Sequence, residues 1–178
     1  MDIGIGVSED VTPDVQRHIA REVEGMGLHS LWTNEARGRD ALLVCSTWAD
    51  ATTRLRVGVG VVPVWSRTPA QLAMAAATLQ ESTEGRFLLG IGVSHPATMD
   101  PWHGAGYRRP LEAAGDTLAI LRRLFAGEPA DHEGEVFSSR GLRLAMDPLP
   151  PSPPVYLAAM GPRMLELAAQ HADGVLLN

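Results

Sequence analysis

The sequence predicts an α/β fold of the (β/α)8 barrel type in which six of the eight βα units are present. Short apolar runs alternate with helical patterns along the 178 residues, and strand–helix alternation is typical of a parallel sheet. The runs are almost continuously apolar, as in strands covered on both faces. Paired glycines recur at residues 4–6, 58–60 and 90–92, but none completes the G-x-G-x-x-G pattern of dinucleotide-binding folds. Glycines at similar depth in several strands suit a flat ligand over a barrel mouth, so we prefer a barrel to a doubly wound sheet.

Each element has its own signal in the sequence. Strands are predicted at residues 3–7, 28–33, 55–64, 87–93, 155–160 and 174–178. Helices are predicted at residues 13–26, 40–52, 69–83, 109–126 and 162–172. All but the helix at 109–126 have a candidate cap, and these caps are Thr12, Asp40, Thr68 and Gly161. The segment 128–154 is rich in proline, glycine and charge, which indicates an irregular excursion with a small hairpin inside one domain of residues 1–178.

Composition excludes several classes of function. All fifteen basic residues are arginine, so Schiff-base aldolase, pyridoxal phosphate and P-loop chemistry, which need a lysine, are excluded. Cys45 is the single cysteine and no two histidines have metal-site spacing, so we expect neither a disulfide framework nor a metal site. The net charge of −6 argues against nucleic-acid binding. We see no leader and no apolar run of about 20 residues, and we expect a cytoplasmic protein without a membrane span.

In residues 87–96, FLLGIGVSHP, a predicted buried strand is followed directly by the hydroxyl of Ser94, the imidazole of His95 and the rigid turn residue Pro96. Active-site groups of such barrels lie at the carboxyl ends of the strands, where His95 stands. Pro96 disfavours helical dihedrals at His95, so its side chain is expected on an extended segment. The imidazole is a candidate acid–base or substrate-orienting group, and a hydrogen-bonded structural histidine is the alternative.

The segment AAMGPRM, residues 158–164, resembles a phosphate site. A strand is followed by Gly161, by Pro162 at the first helical position, and by Arg163. Free backbone N–H groups and the helix dipole favour an anion there. An ordinary strand-to-helix turn is the alternative.

Four motifs together carry a family resemblance. They are R-T-P at 67–69, G-R-F-x-L-G-x-G at 85–92, A-A-x-G-P at 158–162 and A-D-G-V at 172–175. With them the chain resembles the luciferase-like monooxygenase superfamily and, within it, the bacterial coenzyme F420-dependent oxidoreductases. Members are complete TIM barrels, so the chain corresponds to the first six units, either of a longer reading frame or as a shortened relative. We expect its open edges to cause aggregation or to be covered by other polypeptide.

The resemblance implies roles for particular residues. It assigns Gly161, Pro162 and Arg163 to the cofactor phosphate, with Ser94 and the strand-end Asn178 as further cofactor contacts. It implies a non-prolyl cis peptide at Gly60–Val61 beneath the deazaflavin ring. His95, Asn34 and Glu35 become candidate catalytic groups. Trp65 and Arg67, on the following loop, become candidate substrate contacts, although Trp65 also suits a core aromatic and Arg67 a loop anchor.

The function that the resemblance implies is hydride transfer between F420 and a small organic substrate. An FMN-dependent monooxygenase of the same superfamily is one alternative, and a non-catalytic flavin-binding remnant or interaction module is another. Family members pair through early helices, so a homodimer is expected, and the apolar helices at 40–52 and 69–83 suit that interface.

Overall fold

A computed structural model describes residues 2–147 and 149–177 of the chain. The strands are β1 (Gly4–Gly6), β2 (Ser30–Thr33), β3 (Arg56–Pro63), β4 (Phe87–Gly92), β5 (Ala130–His132), β6 (Ser139–Leu142), β7 (Val155–Ala158) and β8 (Gly174–Leu176). The helices are α1 (Pro13–Gly25), α2 (Ala41–Asp50), α3 (Pro69–Ser82), α4 (Pro96–His103), α5 (Pro110–Phe125) and α6 (Pro162–His171).

Six strands form one parallel sheet in the order β1-β2-β3-β4-β7-β8. The sheet is an arc of a barrel, because Trp32 of β2 and Tyr156 of β7 meet at a ring-centroid distance of 5.6 Å although two strands lie between them. Strands in a sheet are about 4.8 Å apart, so these rings can meet only across a concave face. The predicted incomplete barrel is confirmed.

The outer face of the sheet packs against helices. Apolar residues that alternate along the central strands are fully buried there, among them Leu31, Val57, Val59, Leu89 and Leu157. The four predicted caps, Thr12, Asp40, Thr68 and Gly161, are the N-cap residues of their helices. Two of them cap through the side chain, since the Asp40 carboxylate accepts from the backbone N–H groups of Leu42 and Leu43 and the Thr68 hydroxyl accepts from that of Gln71. This core fixes the strand ends that carry the site.

The concave face is built from glycines and a few large side chains. A Cβ at Gly58 would lie 2.6 Å from the Trp32 ring, and one at Gly174 would lie 2.5 Å from the Tyr156 ring. The sequence pattern associates the strand glycines with a flat ligand. At these positions the flat groups are the chain's own aromatic rings, so glycine here is a requirement of packing.

Two features of the middle of the chain complete the fold. Helix α4 was not predicted, and it begins at Pro96, a residue well suited to the first helical position. The segment 128–154 contains the antiparallel hairpin β5–β6. In the part of the chain that the structure describes, no helix is long and apolar enough to cross a membrane.

The two outer strands of the sheet are β1 and β8. Beside them the apolar side chains of Ile3, Ile5, Val175 and Leu177 are exposed. Because an open strand edge invites pairing with other polypeptide, the expectation of aggregation or of covered edges stays a prediction.

Candidate active site

A cavity of about 560 Å³ opens across the carboxyl ends of β3, β4, β7 and β8. Its lining is mostly apolar and consists of Val61, Gly92, Val93, Ser94, His95, Ala158, Ala159, Met160, Gly161, Met164 and Leu176. Pockets for small molecules and cofactors are typically apolar, have a few placed polar groups and measure about 300–1,000 Å³. The cavity therefore has the size and lining of a cofactor site.

The side of the cavity toward β3 and β4 is formed by a backbone irregularity. The Gly60–Val61 peptide is cis, as the resemblance implies, and the pairing of β3 with β4 changes register between Val59 and Val62. A Cβ at Gly92 would lie 2.8 Å from Cγ2 of Val61 and 3.1 Å from Cβ of Ala158. Glycine at position 92 thus keeps a space open that any side chain would fill.

One wall of the cavity is the segment from Val93 to His95. Ser94 is left-handed with a φ of 55°, and His95 is extended with φ −135° and ψ 142°, as Pro96 predicts. Nδ1 of His95 accepts a hydrogen bond of 3.2 Å from the backbone N–H of Ala97 and so caps α4. A neutral imidazole that accepts at Nδ1 carries its proton on Nε2, which makes Nε2 a donor.

Two aromatic side chains contact this wall from outside the cavity. The indole Nε1–H of Trp65 donates to the carbonyl of Val93 at 2.9 Å, and the hydroxyl of Tyr107 donates to the carbonyl of Ser94 at 3.5 Å. The rings of Trp65 and Tyr107 pack with centroids 5.2 Å apart. Trp65 does not line the cavity, and its described contacts are those of the packed aromatic that the sequence left open as an alternative.

A polar cluster closes the neighbouring strand ends. Nη1 of Arg67 lies 2.5 Å from Oε1 of Glu35, and Nη2 contacts the Asp40 carboxylate. The hydroxyl of Ser66 also donates to Glu35. Burial alone would lower the pKa of Arg67. The hydrogen bonds and charges of Glu35 and Asp40 raise it by more, so the net pKa is above its ordinary value. Arg67 therefore stays charged and joins the β3–α3 loop to the β2–α2 loop.

Glu9 is a buried carboxylate that the sequence did not single out. Its Oε1 accepts from the backbone N–H groups of Arg37 and Gly38 at 3.4 and 3.3 Å. Burial alone would raise the pKa of Glu9. These N–H groups, its own N–H and the Asn34 side chain together lower it by more, so the net pKa is below its ordinary value. The sequence signal that could have identified Glu9 is its position shortly after β1, at the carboxyl end of that strand.

The structure separates the predicted site residues into groups. Four line the main cavity: Val61, Ser94, His95 and Gly161. Asn34 and Gly60 line a separate pocket of about 320 Å³, and Glu35 and Arg67 line another of about 370 Å³. Pro162 and Arg163 are exposed in the first turn of α6, whose N-cap is Gly161 at the cavity rim. The predicted contact Asn178 lies outside the described residues.

An arc of parallel strands with a cavity across their carboxyl ends defines an enzyme-type (β/α) barrel domain. Residues 2–178 match the luciferase-like monooxygenase family, and the chain belongs to it. The predicted resemblance is confirmed.

Curated relatives and a solved structure agree with this family. A Mycobacterium tuberculosis protein described as a coenzyme F420-dependent oxidoreductase is 32% identical over 176 residues, covering 92% of this chain and 51% of that protein. The 5,10-methylenetetrahydromethanopterin reductase of Archaeoglobus fulgidus is 31% identical over 179 residues, covering 100% of this chain and 53% of that protein. The chain thus spans about half the length of these relatives. The solved coenzyme F420-dependent tetrahydromethanopterin reductase of Methanopyrus kandleri has the same fold, with a TM-score of 0.87 at 24% identity over 99% of this chain and 55% of that one.

Proposed function

We propose that the chain is the cofactor-binding part of an oxidoreductase that transfers a hydride between F420 and a small organic substrate. The observation that carries the proposal is the apolar cavity of about 560 Å³ bounded by Val61 and Gly92 at the strand ends. The names of two relatives, each more than 30% identical, add support: one is described as a coenzyme F420-dependent oxidoreductase and the other is a 5,10-methylenetetrahydromethanopterin reductase.

The residues present fit a deazaflavin in this cavity. Val61, Gly92 and Ala158 would contact the ring, since position 92 has no side chain to fill the space between the other two. Gly161 and Arg163 would hold phosphate at the N-terminus of α6, where backbone N–H groups favour an anion. Ser94 and Asn178 complete the proposed cofactor contacts. When bound, the deazaflavin supplies a carbon centre that accepts or donates two electrons as a hydride.

His95 is the proposed proton-handling group because it alone of the proposed catalytic residues lines the main cavity. Its Nδ1 is engaged by Ala97, so Nε2–H is the atom that would donate to a substrate oxygen as hydride moves. Glu35 is paired with Arg67, and Glu35 and Asn34 line pockets beside the main cavity, so we propose that they orient the substrate from there and do not exchange its proton. Arg67 stays a proposal as a substrate contact on the same rim, whereas Trp65, whose indole N–H is bound to the carbonyl of Val93 outside the cavity, is proposed to act through the cavity wall and not by touching substrate.

Binding of the two candidate cofactors tests the proposal. We expect the purified chain to quench F420 fluorescence with a Kd at least about tenfold below that for FMN, a difference of about 1.4 kcal/mol. Arg163→Gln should weaken F420 binding, and Arg140→Gln, which changes an exposed arginine on the hairpin, should not. Tighter binding of FMN would instead assign the monooxygenase alternative. Binding of neither cofactor contradicts both assignments.

Two substitutions whose new side chains have the same shape as each other, His95→Asn and His95→Asp, test the role of His95. Asparagine and aspartate both cap helices well, but asparagine can also donate a hydrogen bond into the cavity. His95→Asn should therefore keep more turnover than His95→Asp, and His95→Ala should lower kcat by about 100-fold at nearly unchanged F420 affinity. Equal turnover per bound cofactor in the Asn and Asp variants would mean that His95 acts only as a cap.

We propose that the protein assembles as a homodimer in the cytoplasm. The outward faces of α2 and α3 support the dimer because Leu43 is 69% exposed and Met74 is 48% exposed there. A contiguous exposed apolar patch marks interaction surfaces, and we propose that these two side chains on neighbouring helices form part of one. Sedimentation of wild type and of a Leu43→Glu variant tests this, since a monomeric wild-type chain would contradict it.

A further inference from the structure

We infer that Trp65 is a positioning residue that holds the Val93–His95 wall of the cavity in place. Trp65 is itself packed against the irregular segment 128–154 (the insertion). Trp65 lies on the loop after β3, whereas the wall follows β4, 28 residues further along the chain. The inference rests on the proposed function only in taking the cavity as the cofactor site.

The first step is the contact between aromatic side chains and the wall. Trp65 and Tyr107 donate to the consecutive carbonyls of Val93 and Ser94, at 2.9 and 3.5 Å. Because a peptide unit is planar, fixing a carbonyl also fixes the direction of the N–H that follows it. The Trp65 bond therefore orients the peptide unit between Val93 and Ser94, and the longer Tyr107 contact adds a weaker restraint on the unit between Ser94 and His95.

The second step connects Trp65 to the insertion. Phe137, between β5 and β6, packs against Trp65, with the two ring centroids 5.7 Å apart. The backbone N–H groups of Val136 and Phe137 donate to Oδ2 of Asp116 at 2.8 and 3.0 Å. Asp116 belongs to α5 and is 8% exposed, so the insertion is tied to a buried point of the scaffold.

The third step is the effect on His95. Ser94 is held in a left-handed conformation that a serine seldom adopts unaided, directly between the two anchored carbonyls. His95 follows it and caps α4 through Ala97. A loosened wall would therefore free both the imidazole and the first turn of α4, although Trp65 itself does not line the cavity.

Hydrogen exchange tests this without any cofactor. Trp65→Phe keeps an aromatic ring but removes the donor to Val93, and it should speed exchange of the Ala97 amide by about fivefold, the scale of one modest hydrogen bond. The matched control is Trp102→Phe, since Trp102 lies on α4 and is 51% exposed. Phe137→Leu, which leaves the Trp65 donor in place, should act in the same direction with a smaller effect.

The pattern of exchange decides the outcome. Faster exchange confined to residues 93–98 supports the inference, whereas wild-type exchange there, or equal acceleration throughout the chain, overturns it. In F420 turnover, Trp65→Phe should lower kcat while changing the F420 Kd by less than about twofold, because the donor acts through His95. If the wild-type chain binds no cofactor, the proposed function fails while the exchange result still decides the role of Trp65.

Discussion

The two halves of the strand-end rim differ in how they use polar residues. The polar half, residues 8–10, 34–40 and 66–67, is closed by contacts among its own charged groups, with Arg67 joining Glu35 and Asp40. The cavity half, Val61 with residues 93–95 and 158–161, has few polar groups and encloses about 560 Å³. Carboxylates at strand ends suggest chemistry in a sequence, but here Arg67 and backbone N–H groups are their hydrogen-bond partners. This cavity is larger than the pockets of about 370 and 320 Å³ in the polar half, and polar residues are sparse in its lining.

Arg67→Met gives the largest expected effect, because it leaves the Glu35 and Asp40 carboxylates without their counter-charge. Glu35 is only 13% exposed, and removing one partner of a buried pair costs about 3 kcal/mol of unfolding free energy. Urea unfolding measures this loss. The control is Arg17→Met, which breaks the exposed pair with Asp14 and should cost less than about 0.5 kcal/mol. Similar losses in the two variants would mean that the polar half is not held by its charges.

Asp116→Asn should weaken the support of the cavity half and do so in a pH-dependent way. Burial alone would raise the pKa of Asp116. Hydrogen bonds from the His132 ring and from the backbone N–H groups of Phe137 and Val136 lower it by more, so the net pKa is below its ordinary value. A depressed carboxyl pKa contributes stability above the unfolded value of about 3.9, and that stability is lost as pH falls through the folded value.

The expected cost of Asp116→Asn is about 2 kcal/mol at pH 7, the scale of hydrogen bonds to a charged acceptor. The difference from wild type should hold down to about pH 5 and shrink as pH falls below that value toward the lowered pKa of Asp116, as followed by urea unfolding at each pH. Asp14→Asn, at a 97% exposed carboxylate, serves as the control and should show neither the cost nor the pH dependence. A difference that stays constant with pH would show that the Asp116 charge contributes nothing.

Gly92→Ala should narrow the cavity with the smallest effect of the three. The added methyl group would contact Val61 and Ala158, so F420 affinity should fall about tenfold, or 1.4 kcal/mol. The unfolding free energy should fall by about 1 kcal/mol, the lower range for an overpacked site. Gly25→Ala, where an added Cβ has open space, should leave binding unchanged. Unaltered F420 binding by Gly92→Ala would place the cofactor elsewhere.

Local patterns in the sequence predict most of the fold. The six parallel strands and five of the helices follow from apolar runs and caps, because such signals act over a few residues. Pro96 and His95 could have predicted α4 as well, since a side-chain acceptor followed by proline is a helix start. The cis peptide at Gly60–Val61 followed from the family resemblance alone.

The site was only partly predictable because its polar contacts join distant segments. Glu35 meets Arg67 across 32 positions, and Trp65 meets Val93 across 28, and no spacing rule in a single sequence reports such pairs. His95 could be placed at the rim because it directly follows a strand. Its capping bond and the burial of Glu9 depend on how neighbouring loops fold onto each other.

The fit of glycines beneath aromatic rings on the concave face has a consequence for how the sequence can change. Gly58 lies under Trp32, and Gly174 lies under Tyr156, with no room for a methyl group in either case. A larger residue at 58 becomes acceptable only after residue 32 has become smaller, and positions 174 and 156 are linked in the same way. Substitution histories at these two pairs should therefore be ordered, with the aromatic residue lost before the glycine is replaced.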